Sequence, residues 1–118
     1  MEVQVFGIRK SKETRAALRF FSERRVRTHF VDLAQRAPGP RELERFSRRF
    51  GVEGILDREG RRFHDLGLQA AHLSDARWLE KLIEEPLLLK MPLVRWGDRV
   101  TVGAAEEEWK RWTREASG

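Results

Sequence analysis

A chain of 118 residues, 40% hydrophobic and 36% charged, has apolar material for one core but not for two. It contains no cysteine, which excludes disulfides, thiolate metal sites, redox dithiols and cysteine nucleophiles together. The charged share speaks against a membrane protein and for a soluble surface, and the net charge of +5, from 24 Lys and Arg against 19 Asp and Glu, suits an anionic partner or an arginine-rich solvated surface.

The opening residues, Met1-Glu2-Val3-Gln4-Val5-Phe6, lack the basic and long apolar regions of a signal peptide, so a cytoplasmic location is expected. Val3-Gln4-Val5-Phe6 alternates apolar and polar and predicts a first strand, broken by Gly7. Ser11 stands where a helix N-cap belongs. Thr14, Ala17, Leu18 and Phe21 follow at helical spacing, predicting a helix to about Arg24. Thr28-His29-Phe30-Val31-Asp32 predicts a second strand. Strand, helix and strand in so few residues make a βαβ unit with parallel strands.

Ala37-Pro38-Gly39-Pro40 reads as a turn, with Pro40 at the start of a helix whose buried face carries Leu43, Phe46, Ser47 and Phe50. Gly51 is its expected stop. Between Gly54 and Leu68 the pattern predicts irregular backbone anchored by Ile55, Leu56, Phe63 and Leu66. Ser74 caps a third helix with Trp78, Leu79, Leu82 and Ile83 inward, ended by Pro86. Leu93-Val94-Arg95 and Arg99-Val100-Thr101-Val102 read as two strands of a hairpin around Trp96-Gly97-Asp98. The ring of Trp96 at that tip is expected to fold back on the sheet; the alternative is an exposed tryptophan making a binding edge beside Arg95 and Arg99. Ala105, Trp109, Trp112 and Ala116 predict a closing helix. The expected fold is α/β, one domain over residues 1–118: a mixed sheet with flanking helices and an inserted helical section.

Several stretches resemble one family in the order in which that family carries them. Val5-Phe6-Gly7-Ile8-Arg9-Lys10-Ser11 resembles a first strand and active-site loop. Phe30-Val31-Asp32-Leu33 followed by Pro40-Arg41-Glu42-Leu43 resembles a second strand leading into a "P-x-x-E-L" helix start. Gly54-Ile55-Leu56-Asp57-Arg58-Glu59-Gly60 and Phe63-His64-Asp65-Leu66-Gly67-Leu68 resemble its mid-chain segment. Glu85-Pro86-Leu87-Leu88-Leu89-Lys90-Met91-Pro92-Leu93-Val94 resembles a segment in which an arginine precedes the proline. Val102-Gly103 before an acidic helix resembles its closing motif. The family is that of arsenate reductase (ArsC) and Spx-like proteins. The resemblance implies a thioredoxin-like, glutaredoxin-like fold and, at Pro92, a cis-proline.

Ser11 stands at the position of that family's nucleophilic cysteine, and Met91 at that of the arginine before Pro92. A further family arginine falls at Asp57, with Arg58 its neighbouring substitute. In the family a thiolate attacks arsenic and is resolved by further thiols, commonly of glutathione and glutaredoxin. A serine hydroxyl is neutral near pH 7 and forms no disulfide. What survives is a loop entering a helix, whose N–H groups and dipole suit an anion. Arg9, Lys10, Ser11, Lys12 and Arg58 are the candidate anion-binding residues; no catalytic residue is assigned, and no metal is expected from His29, His64 and His72, which lack ligand spacing. Of the two readings of Ser11, a plain N-cap flanked by solvated charge is favoured over anion binding, the more so with Met91 in place of the arginine.

The resulting expectation is a cysteine-less family member acting as a binding or regulatory domain, without a cofactor. Spx-like relatives bind the transcription machinery, and residues 1–30 hold eight Lys and Arg against three Asp and Glu. The expected partner is thus a protein with an acidic surface, the transcription machinery among the options. A small oxyanion comes second, nucleic acid third, and a membrane is not expected. The competing function is a thiol-dependent, arsenate reductase-like oxidoreductase, with Ser11 replacing a native cysteine or with a supplied thiol such as glutathione. Elsewhere the basic residues are interleaved with Glu and Asp, which favours a solvated surface over an anion-binding one.

Overall fold

Alternation at the start of the chain produces β1 (Glu2–Gly7), with Val3 and Val5 fully buried. The computed structural model describes residues 2–117. They divide into two compact units: residues up to Asp32 together with those from Met91 onward, and Leu33–Lys90.

In the first unit β1 leads through a short loop into α1 (Lys12–Glu23) and then β2 (Arg27–Asp32). β2 runs parallel to β1, in register from Glu2 opposite Arg27 to Gly7 opposite Asp32. The strand therefore continues through Gly7, where the sequence suggested a break. After Met91, whose peptide bond to Pro92 is cis, come β3 (Leu93–Trp96), β4 (Arg99–Val102) and α5 (Glu106–Ser117). The sheet order is β2-β1-β3-β4, with β3 antiparallel to β1 and β4 antiparallel to β3. Gly97, at φ 65°, takes the first place of the two-residue turn between β3 and β4, a position that demands a residue without a Cβ.

That turn corrects the placement of Trp96 at the tip. The residue belongs to β3, pairs with Val3 and Arg99, and is 7% exposed. Alternation decides its direction: Val94 and Trp96 face the same side as Val3 and Val5. On that side α1 supplies Ala17, Phe20 and Phe21, and α5 supplies Trp109 and Trp112. Phe21 sits 5.5 Å from Trp109 and 6.1 Å from Trp96, ring to ring. Such edge-on and tilted pairs add to the burial of their large apolar areas. Trp109 Nε1 donates to Thr101 Oγ1 at 2.9 Å, so its one polar atom is satisfied inside the core.

The second unit is helical apart from an isolated bridge between Leu56 and Leu89. It holds α2 (Pro40–Ile55), α3 (Arg61–Asp65) and α4 (Asp75–Glu84), with 3₁₀ turns at Leu68–Ala70 and Pro86–Leu88. Gly51 interrupts α2 at φ 73° and ψ 166°, after which one further helical turn carries Val52 and Ile55 inward. The expected stop is thus a break with continuation. The stretch taken as irregular contains α3, and of its four anchors Ile55, Leu56 and Phe63 are buried while Leu66 is only half-buried. Ser74 caps α4 as expected, accepting from Arg77 N at 3.2 Å; Trp78 and Leu82 are buried, Leu79 and Ile83 half-buried.

The order β-α-β, a helical insertion, a β-hairpin and a closing helix is the thioredoxin-like order expected of the sequence. Among the described residues, no helix is long and apolar enough to cross a membrane.

Candidate functional site

Gly7 ends β1 and the chain turns through Ile8, Arg9 and Lys10 into α1. Ser11 N–H donates to Ile8 O at 3.0 Å, closing the turn. Ser11 has extended backbone, φ −76° and ψ 121°, and its Oγ accepts from Thr14 N at 3.1 Å. It is an N-cap in full, worth about 1 kcal/mol to the helix. The backbone N–H groups of Lys12 and Glu13 have no acceptor among the described residues, leaving the positive end of the helix dipole open. Arg9, Lys10 and Lys12 are exposed around it. Arg15 Nη1 donates to Arg9 O at 2.7 Å and steadies the loop, while the Arg9 guanidinium lies 4.8 Å from the centre of the Phe30 ring.

Behind the cap, Thr14 is fully buried against Gly7. A Cβ on Gly7 would come within 2.3 Å of Thr14 Oγ1, so this close approach of strand and helix requires glycine. The Thr14 hydroxyl has no hydrogen-bond partner. A buried unsatisfied hydroxyl costs roughly 1–3 kcal/mol. Thr14→Val keeps the shape and removes the hydroxyl, and is expected to raise stability by about 1 kcal/mol. A urea denaturation midpoint below that of the native chain would contradict this. The sequence placed Thr14 on the inward stripe of the helix, as found, but not its contact with Gly7, because a spacing of seven residues across a strand-to-helix turn has no periodic signature.

The structure gathers Arg9, Lys10, Ser11 and Lys12 on one loop and helix start. Arg58 belongs to the second unit, where it is engaged: Nε meets Glu53 Oε1 at 2.6 Å and Nη2 meets Oε2 at 2.7 Å. Its guanidinium also lies 5.6 Å from the Phe63 ring and 5.3 Å from that of Trp78, which stack on each other. The hydrogen bond from Arg58 holds the Glu53 carboxyl below its ordinary value of 4.5, against an opposing effect of burial. Because the folded value is depressed, the stability from this pair is complete above the unfolded value and is lost as pH falls through the lower folded one. The pair is solvent-exposed, so Glu53→Gln is expected to cost at most about 1 kcal/mol at pH 7. The difference from the native chain should vanish below the folded value, as read by urea denaturation at a series of pH values.

Of the three histidines, His64 Nδ1 lies 2.7 Å from Gln69 Nε2, and His29 and His72 are exposed. Among the described residues no three His, Cys, Asp or Glu side chains gather as a metal site. The loop can therefore offer an anion two backbone donors, a helix dipole and three cations. Its side chain at the helix cap is a hydroxyl held as an acceptor by Thr14 N–H.

Comparison with known proteins places this arrangement. The chain aligns with the uncharacterized protein YusI of Bacillus subtilis at 25% identity over 114 residues, covering 93% of this chain and 97% of that protein. In three dimensions it is similar to the YFFB (PA3664) protein at 24% identity, with a TM-score of 0.82 over 92% of this chain and 96% of the other. It is also similar to an arsenate reductase from Vibrio cholerae at 20% identity, with a TM-score of 0.79 over 94% and 97%. These two likenesses bear on the fold. The model of the ArsC family matches residues 6–112, nearly the whole of the two-strand, insertion and hairpin order described above. The chain belongs to the ArsC family, and it does so without a cysteine anywhere in its 118 residues.

Proposed function

We propose that this ArsC-family protein is a cytoplasmic binding or regulatory domain for a protein partner with an acidic surface, and that it is not a redox catalyst. The observation that carries the reading is Ser11. At the start of α1, where the resemblance calls for a thiolate, the chain has a hydroxyl that accepts a hydrogen bond from Thr14 N. Arsenate reduction by the family route needs a charged, nucleophilic sulfur that can enter a disulfide, and oxygen does neither near pH 7. No cofactor enters this reading.

The second reading is a thiol-dependent reductase that borrows glutathione as its sulfur. It is favoured by the unpaired N–H groups of Lys12 and Glu13 and by the cations Arg9, Lys10 and Lys12, which together suit a small oxyanion. An assay of arsenate reduction with glutathione and glutaredoxin separates the two. The native chain is expected to match the rate without protein. Turnover above that background overturns the binding-domain reading and supports the borrowed thiol.

A further inference from the structure

Residues 1–32 hold eight Lys and Arg against four Asp and Glu, leaving sixteen against fifteen for the rest of the chain. The net charge of +5 thus comes almost wholly from the first strand–helix–strand segment. Ion pairing is divided the same way. Later in the chain Arg48 pairs with Glu44, Arg62 with Glu85 and Arg99 with Glu115, among others. Among the described residues, Arg9, Lys10, Lys12, Arg15 and Arg19 are all exposed, and none reaches a carboxylate.

These five are not scattered. Lys12, Arg15 and Arg19 follow one another at i, i+3 and i+7 on the side of α1 opposite Ala17, Phe20 and Phe21, which are buried in the core. The stripe is about 10 Å long at 1.5 Å per residue. The hydrogen bond from Arg15 to Arg9 O brings the loop alongside it. Lys12 stands at the positive end of the helix dipole, where a cation costs stability, and neighbouring Glu13, the acid of that first turn, makes no ion pair with it among the described residues.

We propose that the outward face of α1, with the loop leading into it, is a docking surface for an acidic helix of a partner protein; this rests on the binding reading above. Carboxylates at the same three- and four-residue spacing on a partner helix meet Lys12, Arg15 and Arg19 pairwise. The partner is a protein and not a nucleic acid for two reasons. Glu13 and Glu23 lie on the same helix; a protein can set a lysine against each of them, whereas a phosphate backbone only repels them. Among the described residues the phenylalanine and tryptophan rings of this unit are buried or half-buried, so none offers an exposed platform on which single-stranded bases could stack.

The test is an ¹⁵N-edited NMR titration of the full chain. The probe is a 21-residue alanine-based helical peptide with glutamates at i, i+3, i+4 and i+7 along one face; a 20-base-pair duplex DNA is titrated in parallel. At 50 mM salt the peptide is expected to shift the amides of α1 and the preceding loop. K12Q/R15Q/R19Q should weaken its binding at least tenfold, while R41Q/R61Q/R114Q, with the same loss of charge, should weaken it less than threefold. Retained amide dispersion shows that the triple variant is folded; should it be lost, R19Q alone is read for at least a twofold loss. Absence of shifts, shifts centred elsewhere, equal weakening by both variants, or tighter binding of the duplex overturns the proposal. None of these outcomes depends on arsenate turnover, so the docking surface and the binding-domain reading fail separately.

Discussion

Ser11→Cys is expected to create a thiol that is largely ionised at neutral pH. An ordinary cysteine titrates near 8.5, and one at a helix N-terminus beside cations falls into the range of about 3.5–7.5. Both causes are present at position 11. The N–H groups of Lys12 and Glu13 are open to a charged group, and Arg9, Lys10 and Lys12 surround it. A titration followed by thiolate absorbance should therefore have its midpoint below about 7, and Lys12→Gln in the same background should move it upward. A midpoint at or above 8.5 would mean that the loop offers no anion stabilisation, and the reductase reading would lose its support. The sign of the effect follows from charge alone: the dipole and the cations favour the thiolate over the thiol. The same field acts on serine to no chemical purpose, because an alkoxide lies far beyond its reach.

The second large effect concerns the core beneath that loop. Trp109 is 2% exposed, lies 5.6 Å from Phe20 and 5.5 Å from Phe21, and donates to Thr101. Trp109→Ala removes the ring, leaves a cavity between α1 and the sheet, and orphans the buried Thr101 hydroxyl. The expected cost is about 3–5 kcal/mol, a large fraction of the stability of a domain of this size. Trp109→Phe keeps most of the packing and loses the hydrogen bond, for an expected 1–3 kcal/mol, roughly the cost of an unsatisfied buried group. Urea denaturation midpoints should rank native above Trp109→Phe above Trp109→Ala. Equal midpoints for the two variants would show that the indole N–H, and not the packing, dominates.

The elements most legible in the sequence were those set by local chemistry. Ser11 and Ser74 announced helix starts because a hydroxyl one turn before an apolar stripe satisfies a backbone N–H in any context, and both do so here. The parallel pairing of β1 and β2 followed from a helix between two short alternating segments. Where local signals were weak, tertiary packing decided. Trp96 read as a hairpin tip because Gly97-Asp98 was taken with it as the turn. A two-residue turn and the pairing with Val3 instead place it in the strand, facing inward. Arg58 read as an anion-binding candidate; its neighbour Glu53, five residues back across the end of α2, engages it.

Family membership, the order of elements and the vacancy at Ser11 were all determined by the sequence itself, because periodicity, capping and residue identity are properties of neighbouring positions. Ion pairing was not. The charges looked interleaved through most of the chain, and a pair forms only when the fold brings opposite side chains within a few ångströms. Only the tertiary structure showed, among the described residues, that the helices after β2 carry ion pairs while the cations on the outward face of α1 reach no carboxylate. Coulomb attraction falls off with distance and screening, and it is the fold that sets those distances.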